Sequence, residues 1–471
     1  MAKKSVVFLC ALSFLVGNAG ASFFVIGPTL VLIISVVTGL LIWLYKRSLL
    51  PIVIALIIGI LSWQLRANLQ SPHPPLGHIT VAGEITFVES KINKQLVTVR
   101  LQSGVLKGYK VLLYTDRYPE YFSGQHLSFS CKLERPEPIE DFRYDRYLAL
   151  TKVYYICYRP SELQVDNTVS WRYWLFRIKR FYSDSYNRYL PEPEGNVTRA
   201  MMLAERKDLP ADLTTQFSRV GLSHVMAISG MNMTLLVGAL QAVAVALCWR
   251  RSFTFGLVVT ILTLYVTIIG FQASAVRAAI MAGLVLLSQV VHRQYDPWYV
   301  LILVAAGLTA LNPLSLMYDI GWQLSFLAMA GLLFWQKRFE QWLGFLPEAF
   351  GCRAIAATSL SAQVFTFPLM LYYFQTFSTI FLVTNVLALP AVDIVTVGAL
   401  VAPLIWWLPG IGWGVTVGVL FLVRWLLLVC YLGSLLPFSA VSLPAISFWW
   451  YLLIYLCLIL MTYYASSRKK S

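Results

Sequence analysis

The chain has 471 residues, of which 58% are hydrophobic and only 13% are charged, and its mean hydropathy is +0.68. A water-soluble domain of this size does not need so much apolar surface, so the composition excludes an ordinary soluble enzyme and predicts a polytopic α-helical membrane protein. The 37 Lys and Arg residues outnumber the 22 Asp and Glu residues, for a formal net charge of +15. Such an excess indicates basic cytoplasmic loops, a polyanionic partner, or both.

Three apolar segments open the chain, at about 5–26, 28–45 and 50–66, and each is long enough to cross a bilayer as a helix. We assign them to an N-terminal transmembrane region over 1–70. The first segment ends in residues 17–21, Gly-Asn-Ala-Gly-Ala, which resemble a signal-peptidase site. Cleavage there is an alternative that leaves the later topology unchanged.

Residues 77–165 form a polar region in which apolar and polar side chains alternate in five short runs, at 78–88, 95–101, 110–114, 126–133 and 153–158. Alternation of this kind predicts β-strands, and five of them in under a hundred residues suit a small OB-like β-barrel. Cys131 and Cys157 both fall in these strands. If the domain lies outside the cytoplasm they can form a disulfide, and two buried free thiols are the alternative.

The next stretch, 166–220, begins with the basic and aromatic run Trp171–Tyr182. As a helix this run is amphipathic, which favours an interfacial helix held by anionic lipid, and direct contact with a substrate is the alternative. Two more helices are predicted at about 195–206 and 210–220. We therefore assign 166–220 to amphipathic, interfacial helices.

Nine further spans fit the region 221–471, which brings the total to about twelve; they lie at about 224–248, 253–270, 274–291, 297–311, 316–335, 352–373, 377–408, 412–433 and 446–465. The span 377–408 is long and contains Pro390 and Pro403, which predicts a broken or re-entrant helix that lines a cavity.

Basic residues predict the orientation of these spans. With the N-terminus in the cytoplasm, the basic clusters all fall inside, at 46–47, 250–251, 292–293, 337–338 with Arg353, and 468–470. The short loops near 272, 312, 375 and 440 carry no Lys or Arg and fall outside. Both termini are then cytoplasmic, and the β domain is extracytoplasmic.

Several polar side chains lie in or beside the apolar spans, where an unpartnered charge is costly. Arg277 has two interpretations, which are an Arg–Asp pair that holds helices together and a cation that meets phosphates in transit. We predict that a polar path through the region is lined by Ser223, His224, Ser229, Asn232, Gln272, Arg277, Asp319, Gln323, Asn385 and Asp393.

Residues 221–225, Gly-Leu-Ser-His-Val, nearly match the GxSxG motif of hydrolases but lack the final Gly and begin a membrane helix. The sequence has no GxxxxGK[ST] motif and no His-rich cluster of a binuclear metal nuclease. We therefore predict a protein that is not an enzyme and that needs no metal or cofactor. An integral-membrane hydrolase built on Ser223 and His224 is the weaker alternative.

Distinctive blocks lie in order along the chain at 221–233, 273–282, 312–314 with 321–328, and 363–390. They resemble the ComEC competence-protein family, whose central signature is matched almost whole at 221–233. Upstream, 142–148 resembles the box that ends the family's OB-like domain, and 203–209 resembles a second box. Asn232 stands where the family usually has His, which leaves any role of that imidazole in doubt.

The resemblance implies an inner-membrane channel that takes up single-stranded DNA in bacterial natural transformation. Many members end in a metallo-β-lactamase-like domain that degrades the non-entering strand, and this chain stops at Ser471 before one. We therefore expect a short family form and a separate nuclease. A cytoplasmic ATP-driven motor and a periplasmic or surface DNA receptor are also expected as partners, besides the DNA and the lipid bilayer.

Cations of the OB-like domain are expected to hold phosphates, since Lys and Arg bind DNA with little sequence preference. They are Arg100, Lys107, Lys110, Arg117, Lys132, Arg135, Arg143, Arg146 and Lys152. The aromatic residues Tyr109, Tyr114, Phe142 and Tyr144 could stack on bases, or could belong to the barrel core. A transporter of another anionic polymer or lipid is the chief alternative function, and a purely structural scaffold is a further one.

Overall fold

The computed structural model describes residues 3–23, 50–68, 77–90, 94–103, 106–139, 143–206, 208–228, 230–294, 296–443 and 448–467. Two compact units make up the chain, Met1–Phe176 with Arg293–Gln323 and Arg177–His292 with Leu324–Ser471. The predicted span 28–45 and the basic clusters 46–47 and 468–470 lie outside the described residues.

Two apolar helices open the first unit, α1 (Lys3–Phe23) and α2 (Leu50–Asn68). Gly17 lies against the backbone of Leu56, and Gly59 lies against the backbone of Phe14, so a side chain at either glycine would meet the other helix. Small residues at such contacts let apolar helices approach closely. Asn18 adds a hydrogen bond of 3.3 Å from Nδ2 to Ser62 Oγ.

The polar region of the first unit forms a six-stranded sheet with one short helix, α3 (Tyr144–Leu150). Its strands are β1 (His78–Ser90), β2 (Lys94–Leu101), β3 (Lys110–Asp116), β4 (Gln125–Lys132), β5 (Val153–Cys157) and β6 (Ser161–Val169). They are ordered β5-β3-β2-β1-β4-β6, and every pair is antiparallel except β3 with β5. All five predicted strands are present, and β6 was not predicted.

Alternate residues of these strands fill one core, which includes Ile85, Val97, Val111 and Phe129. Cys131 and Cys157 lie in this core and are joined by a disulfide, with their Cα atoms 6.3 Å apart. A single bridge between Glu134 and Ile156 links the chain after β4 to β5. The described residues show a sheet but not a closed barrel, so an OB-like barrel stays a prediction.

The remaining chain is almost entirely helical. Its helices are α4 (Trp171–Tyr189), α5 (Glu194–Leu203), α6 (Ala211–Arg219), α7 (Gly230–Ala246), α8 (Arg251–Ile268), α9 (Ala273–Val290), α10 (Pro297–Leu311), α11 (Ser315–Tyr318), α12 (Ile320–Trp342), α13 (Cys352–Phe374), α14 (Phe381–Ile405), α15 (Ile411–Leu435) and α16 (Phe448–Ser467). A 3-10 turn at Ala349–Gly351 precedes α13. Strands β7 (Thr376–Ser378) and β8 (Ala440–Ser442) pair with each other.

Six helices in the described part of the chain are long and apolar enough to cross a membrane, at Ser5–Ser22, Arg251–Ile268, Ala273–Val290, Cys352–Phe374, Phe381–Ile405 and Ile411–Leu435. Shorter apolar helices occur at Pro51–Arg66, Gly230–Ala246, Pro297–Leu311 and Leu453–Thr462. The chain is therefore a mostly helical membrane protein with an N-terminal β-sheet domain. A total of about twelve spans stays a prediction.

Two features of the second unit concern its helix packing. Helix α14 runs without interruption through Pro390 and Pro403, so the broken helix predicted over 377–408 does not form. Gly331 of α12 lies against the backbone of Ser361 in α13, where no side chain fits between the two helices.

Candidate nucleic-acid interface and polar helix residues

A cluster of four cations lies on the β-sheet. Arg100 on β2 is directly opposite Lys110 on β3. Burial lowers the pKa of the Lys110 ammonium, and the nearby charges of Arg172, Arg100 and Lys152 lower it further. Like charges at opposite positions of neighbouring strands repel each other, so this cation cluster (Arg100, Lys110, Lys152 and Arg172) is arranged to accept an anion.

One carboxylate borders the cation cluster. Glu84 on β1 lies opposite Arg100 in the sheet, and its Oε1 accepts hydrogen bonds from Ser170 Oγ at 2.7 Å and Arg172 Nη1 at 3.1 Å. This contact fixes the start of α4 to the sheet. Glu84 supplies one negative charge against the four positive charges of the cluster.

The other predicted phosphate-binding cations are placed differently. Arg143 makes two hydrogen bonds to Asp145, of 3.0 and 2.8 Å, and Arg146 lies 3.7 Å from the same carboxylate. Lys132 lies 3.7 Å from Glu134. Arg117 lies over the ring of Tyr118, whereas Lys107 and Arg135 are exposed. Of the nine predicted cations, the structure brings Arg100, Lys110 and Lys152 together, and they are joined by Arg172 of the basic run Trp171–Tyr182.

Burial by itself raises the pKa of the Asp145 carboxyl. The hydrogen bonds from the Arg143 side chain and the Arg146 backbone outweigh that effect and hold the pKa below its ordinary value. Asp145 therefore stays ionised and neutralises part of the charge on the two arginines.

A ridge of four tyrosines runs beside β3 and α3. The rings of Tyr114 and Tyr158 stack at 5.1 Å, the hydroxyls of Tyr114 and Tyr144 are 3.4 Å apart, and Tyr144 stacks on Tyr147 at 6.4 Å. Tyr158 and Tyr147 are 55% and 47% exposed. We call these residues the tyrosine ridge. Its two exposed members were missed by the sequence analysis, which named Tyr114 and Tyr144.

Tyr109 packs instead against the core residues Tyr154 and Tyr155, at 5.8 and 6.1 Å. That position agrees with the barrel-core interpretation of this aromatic residue. The fourth named aromatic, Phe142, lies outside the described residues.

The polar motif 221–233 precedes and begins helix α7. Gly221 has a φ of +78°, and a Cβ built on it would lie 2.7 Å from Cβ of Phe381. Asn232 is buried and donates from Nδ2 to the carbonyl of Met201 at 3.3 Å. Ser274 Oγ, at the start of α9, donates to the carbonyl of Ile228 at 2.8 Å. The motif therefore binds three other segments of the second unit.

Ser223 and His224 are exposed, and Ser229 lies outside the described residues. The Nδ1 atom of His224 lies 3.2 Å from the carbonyl of Gly221. Within the described ranges no hydrogen bond joins His224 to the Ser223 hydroxyl, which is the contact that a nucleophile and its base would need.

Four more predicted path residues lie in the second unit. Arg277 is only 1% exposed, and its guanidinium lies 5.8 Å from the centre of the Phe326 ring. Asn385 is buried and donates from Nδ2 to Ser359 Oγ at 3.1 Å, which joins α14 to α13. Gln272, at the start of α9, and Asp393, within α14, are half-buried.

Asp319 and Gln323 belong to the first unit and bind the backbone beside them. Asp319 Oδ1 accepts from the backbone N–H of Trp322 at 2.9 Å, which caps α12. Gln323 Nε2 donates to the carbonyls of Leu316 and Met317, at 2.9 and 3.0 Å. These contacts give both side chains a local structural role.

The polar residues of α5 were not predicted to be site residues. All ten residues of this helix are buried, including Glu194, Asn196 and Arg199. Arg199 Nη2 lies 3.0 Å from Asp208, and Glu194 Oε1 accepts a hydrogen bond of 2.7 Å from Nε of Arg424. This part of 166–220 therefore has no lipid-facing surface.

Residues 201–468 match the family described as "Competence protein". The chain belongs to this ComEC competence-protein family. The matched region begins at Met201, whose carbonyl accepts the hydrogen bond of Asn232, and it includes all the predicted path residues. The resemblance carried by the motifs is thus confirmed.

Two curated proteins are similar to this competence-family chain. ComE operon protein 3 of Bacillus subtilis (strain 168) is 26% identical over 249 residues, which cover 53% of this chain and 31% of that protein. The uncharacterized protein YcaI of Escherichia coli (strain K12) is 25% identical over 234 residues, which cover 47% of this chain and 30% of that protein. The matches span about a third of each relative's length. No solved structure matches the chain.

Proposed function

We propose that this protein is the cytoplasmic-membrane channel for single-stranded DNA in natural transformation. Its family and its similarity to ComE operon protein 3 support a role in competence DNA uptake. The observation that carries the proposal is the cation cluster, in which Arg100 and Lys110 repel each other on neighbouring strands beside Lys152 and Arg172. A phosphodiester backbone would relieve that repulsion.

The tyrosine ridge suits the same ligand. Bases of a single strand stack on aromatic rings irrespective of sequence, while Lys and Arg hold the phosphates. Tyr147 and Tyr158 expose about half of their surface, and Tyr158 is braced by its stacking on Tyr114. The sheet domain would therefore bind single strands of any sequence, with an affinity that falls as salt rises.

The polar residues of the second unit would then conduct the strand through the membrane. Each phosphate that enters a negatively charged cytoplasm climbs about 2.3 kcal/mol per 100 mV, so passive uptake of a long strand stalls. An ATP-driven cytoplasmic motor is therefore needed as a partner. A periplasmic or surface receptor would deliver the DNA.

We place both termini in the cytoplasm and the sheet domain outside it. The distribution of basic residues in the sequence supports this orientation. The Cys131–Cys157 disulfide also supports it, because disulfides persist in extracytoplasmic compartments.

Uptake of labelled single-stranded DNA into the cytosol tests the channel. Cells that lack the gene should take up none, and the wild-type gene should restore uptake. The double substitution Arg100→Glu and Lys110→Glu should lower uptake strongly, whereas Lys132→Glu should not, because Lys132 is already near Glu134. Normal uptake without the gene would reject the channel and favour transport of another anionic polymer or lipid. A hydrolase would instead lose a measurable turnover in Ser223→Ala.

A further inference from the structure

A charged segment, Arg177–Val220, is packed along membrane-spanning helices of the second unit. Inside the segment, where α4 ends, the Tyr189 ring stacks on Trp406 at 5.3 Å, and the Tyr186 hydroxyl donates to the carbonyl of Ala399 at 2.9 Å. Trp406 caps the C-terminal end of α14. The turn after α4 therefore lies at that end of α14.

The C-terminal end of the segment contacts the opposite end of the same helix. Thr384 Oγ1, one turn into α14, donates to the carbonyl of Val220 at 2.7 Å. A Cβ built on Gly433, near the end of α15, would stand 2.9 Å from Cγ1 of Val220. The helix rises about 33 Å from Thr384 to Trp406, which matches the roughly 30 Å hydrocarbon thickness of a bilayer.

Contacts made between the turn after α4 and Val220 show how the chain runs back from the turn. Glu194 lies 2.7 Å from Arg424, which is near the middle of the apolar helix α15. Farther along, Glu205 accepts from Ser183 Oγ at 2.8 Å and lies 3.5 Å from Lys179 Nζ. The chain after α5 thus runs back beside α4, in the opposite direction.

We infer that Arg177–Val220 is a hairpin that passes into the membrane-embedded bundle and returns to the side from which it came. This arrangement preserves the orientation of every later span. It differs from helices that lie flat on the membrane surface, because a flat pair cannot reach both ends and the middle of spanning helices.

A hairpin at this depth needs water beside its charges. Arg177, Arg180, Asp184 and Arg188 are exposed and recur every three or four residues, so they share one face of α4. Charges at membrane depth face protein or a water-filled cavity and not lipid. This charged face therefore borders an aqueous path whose ligand, if the proposed function holds, is the phosphodiester backbone of the passing strand.

Exchange of the central ion pair tests the hairpin without DNA. Glu194→Arg and Arg424→Glu should each reduce folded protein in the membrane by more than about tenfold, because each leaves like charges together, and the double exchange should restore most of it. The matched control combines Glu205→Arg with Arg424→Glu, and this combination should not restore the amount of folded protein. Additive losses in the Glu194 and Arg424 pair would overturn the hairpin.

Thiol labelling tests the aqueous path. In a background with the free cysteines replaced, Arg188→Cys should react with a membrane-impermeant cationic methanethiosulfonate added from outside the cell. Phe421→Cys, exposed on an apolar face of α15, is the lipid-facing control and should not react. Incoming single-stranded DNA should slow the Arg188→Cys reaction by about tenfold.

Each outcome of the labelling has a distinct meaning. If Arg188→Cys does not react from outside, the aqueous path is wrong. If it reacts equally fast with and without DNA, the phosphodiester assignment is wrong although the hairpin stands. Normal DNA uptake in cells without the gene would reject the proposed channel but not the hairpin, because the charge-exchange experiment does not depend on DNA.

Discussion

Arg100 on β2 lies directly opposite Lys110 on β3, so two cations occupy one paired position of neighbouring antiparallel strands. Opposite charges at such a position stabilise a sheet by about 0.2–1 kcal/mol, and like charges destabilise it. Glu84, opposite Arg100 on the other side in β1, offsets part of this repulsion, and a bound anion would relieve it further.

Lys110→Met should make the sheet domain more stable and bind DNA less tightly. Loss of one cation removes repulsion from Arg100 and removes about 0.7 from the slope of log affinity against log salt for a single strand. Titration of purified protein with a labelled oligonucleotide at several salt concentrations measures this slope. Lys132→Met is the control, since Lys132 lies near Glu134. Equal slopes for Lys110→Met and wild type would show that no phosphate is held there.

The lowered pKa of Lys110 should make both folding stability and DNA affinity depend on pH in the alkaline range. Burial and the neighbouring cations lower the pKa of Lys110 in the folded protein. The unfolded chain then binds the proton more tightly, so folding stability rises with pH between the lowered pKa and the ordinary value near 10.5. Below the lowered pKa the destabilisation is fully present.

Affinity for DNA changes in the opposite direction, because only the charged ammonium attracts phosphate. It should fall as pH rises through the lowered pKa of Lys110, and Lys110→Arg should shift that fall to higher pH. Anisotropy titrations between pH 7 and pH 11 measure the effect. The same change at exposed Lys107 serves as the control and should leave the profile unchanged. Superimposable profiles for Lys110→Arg and wild type would count against the cluster.

Tyr158→Ala should weaken binding of single strands by about 1 kcal/mol or more, because an exposed ring that stacks a base is lost. Tyr158→Phe keeps the ring and should bind like wild type. Fluorescence titration with an oligonucleotide distinguishes the two variants. If both variants bind as wild type does, the tyrosine ridge is not a platform for bases.

Loss of the disulfide should lower the free energy of unfolding of the sheet domain by about 3.5 kcal/mol, as expected for closing a loop of this length. Cys131 and Cys157 are 26 residues apart and buried in the same core. The double substitution to Ser, followed by denaturant titration, measures the loss. Cys248→Ser, at an exposed free thiol, is the control. An unchanged midpoint in the double variant would contradict a stabilising bond.

Gly221→Ala should destabilise the helical unit by about 1–2 kcal/mol or more, since its φ of +78° is unfavourable for Ala and the new Cβ meets Phe381. Gly238→Ala is the control, because nothing lies within 4 Å of a Cβ there and Ala favours a helix. Thermal unfolding in detergent compares the two. A lower transition temperature for Gly238→Ala than for Gly221→Ala would contradict the packing seen at the motif.

The sheet shows what sequence patterns can predict. The alternation of apolar and polar side chains predicted β1 to β5, because in a strand with one buried face every second residue is apolar. Strand β6, Ser161–Val169, was missed because it is an edge strand that pairs with β4 with register shifts, and its residues are little buried. The opposition of Arg100 and Lys110 depends on the register across a long loop, which composition does not specify.

The helical part shows why site residues are harder to predict. The free-energy cost of a polar side chain at membrane depth made Asp319 and Gln323 predicted path residues. Both side chains instead bind nearby backbone, and an Asp just before a helix is a recognisable N-cap. Glu194 was not predicted to be a site residue, since its partner Arg424 is 230 residues away. Such a pair follows only from tertiary packing.

Gly331 and Ser361 meet where two helices have no side chain between their backbones. Separation of the two helices by even an ångström would weaken the close van der Waals contact at this crossing. We therefore expect α12 and α13 to move together. Any widening of the path for a nucleotide should then occur between other helices.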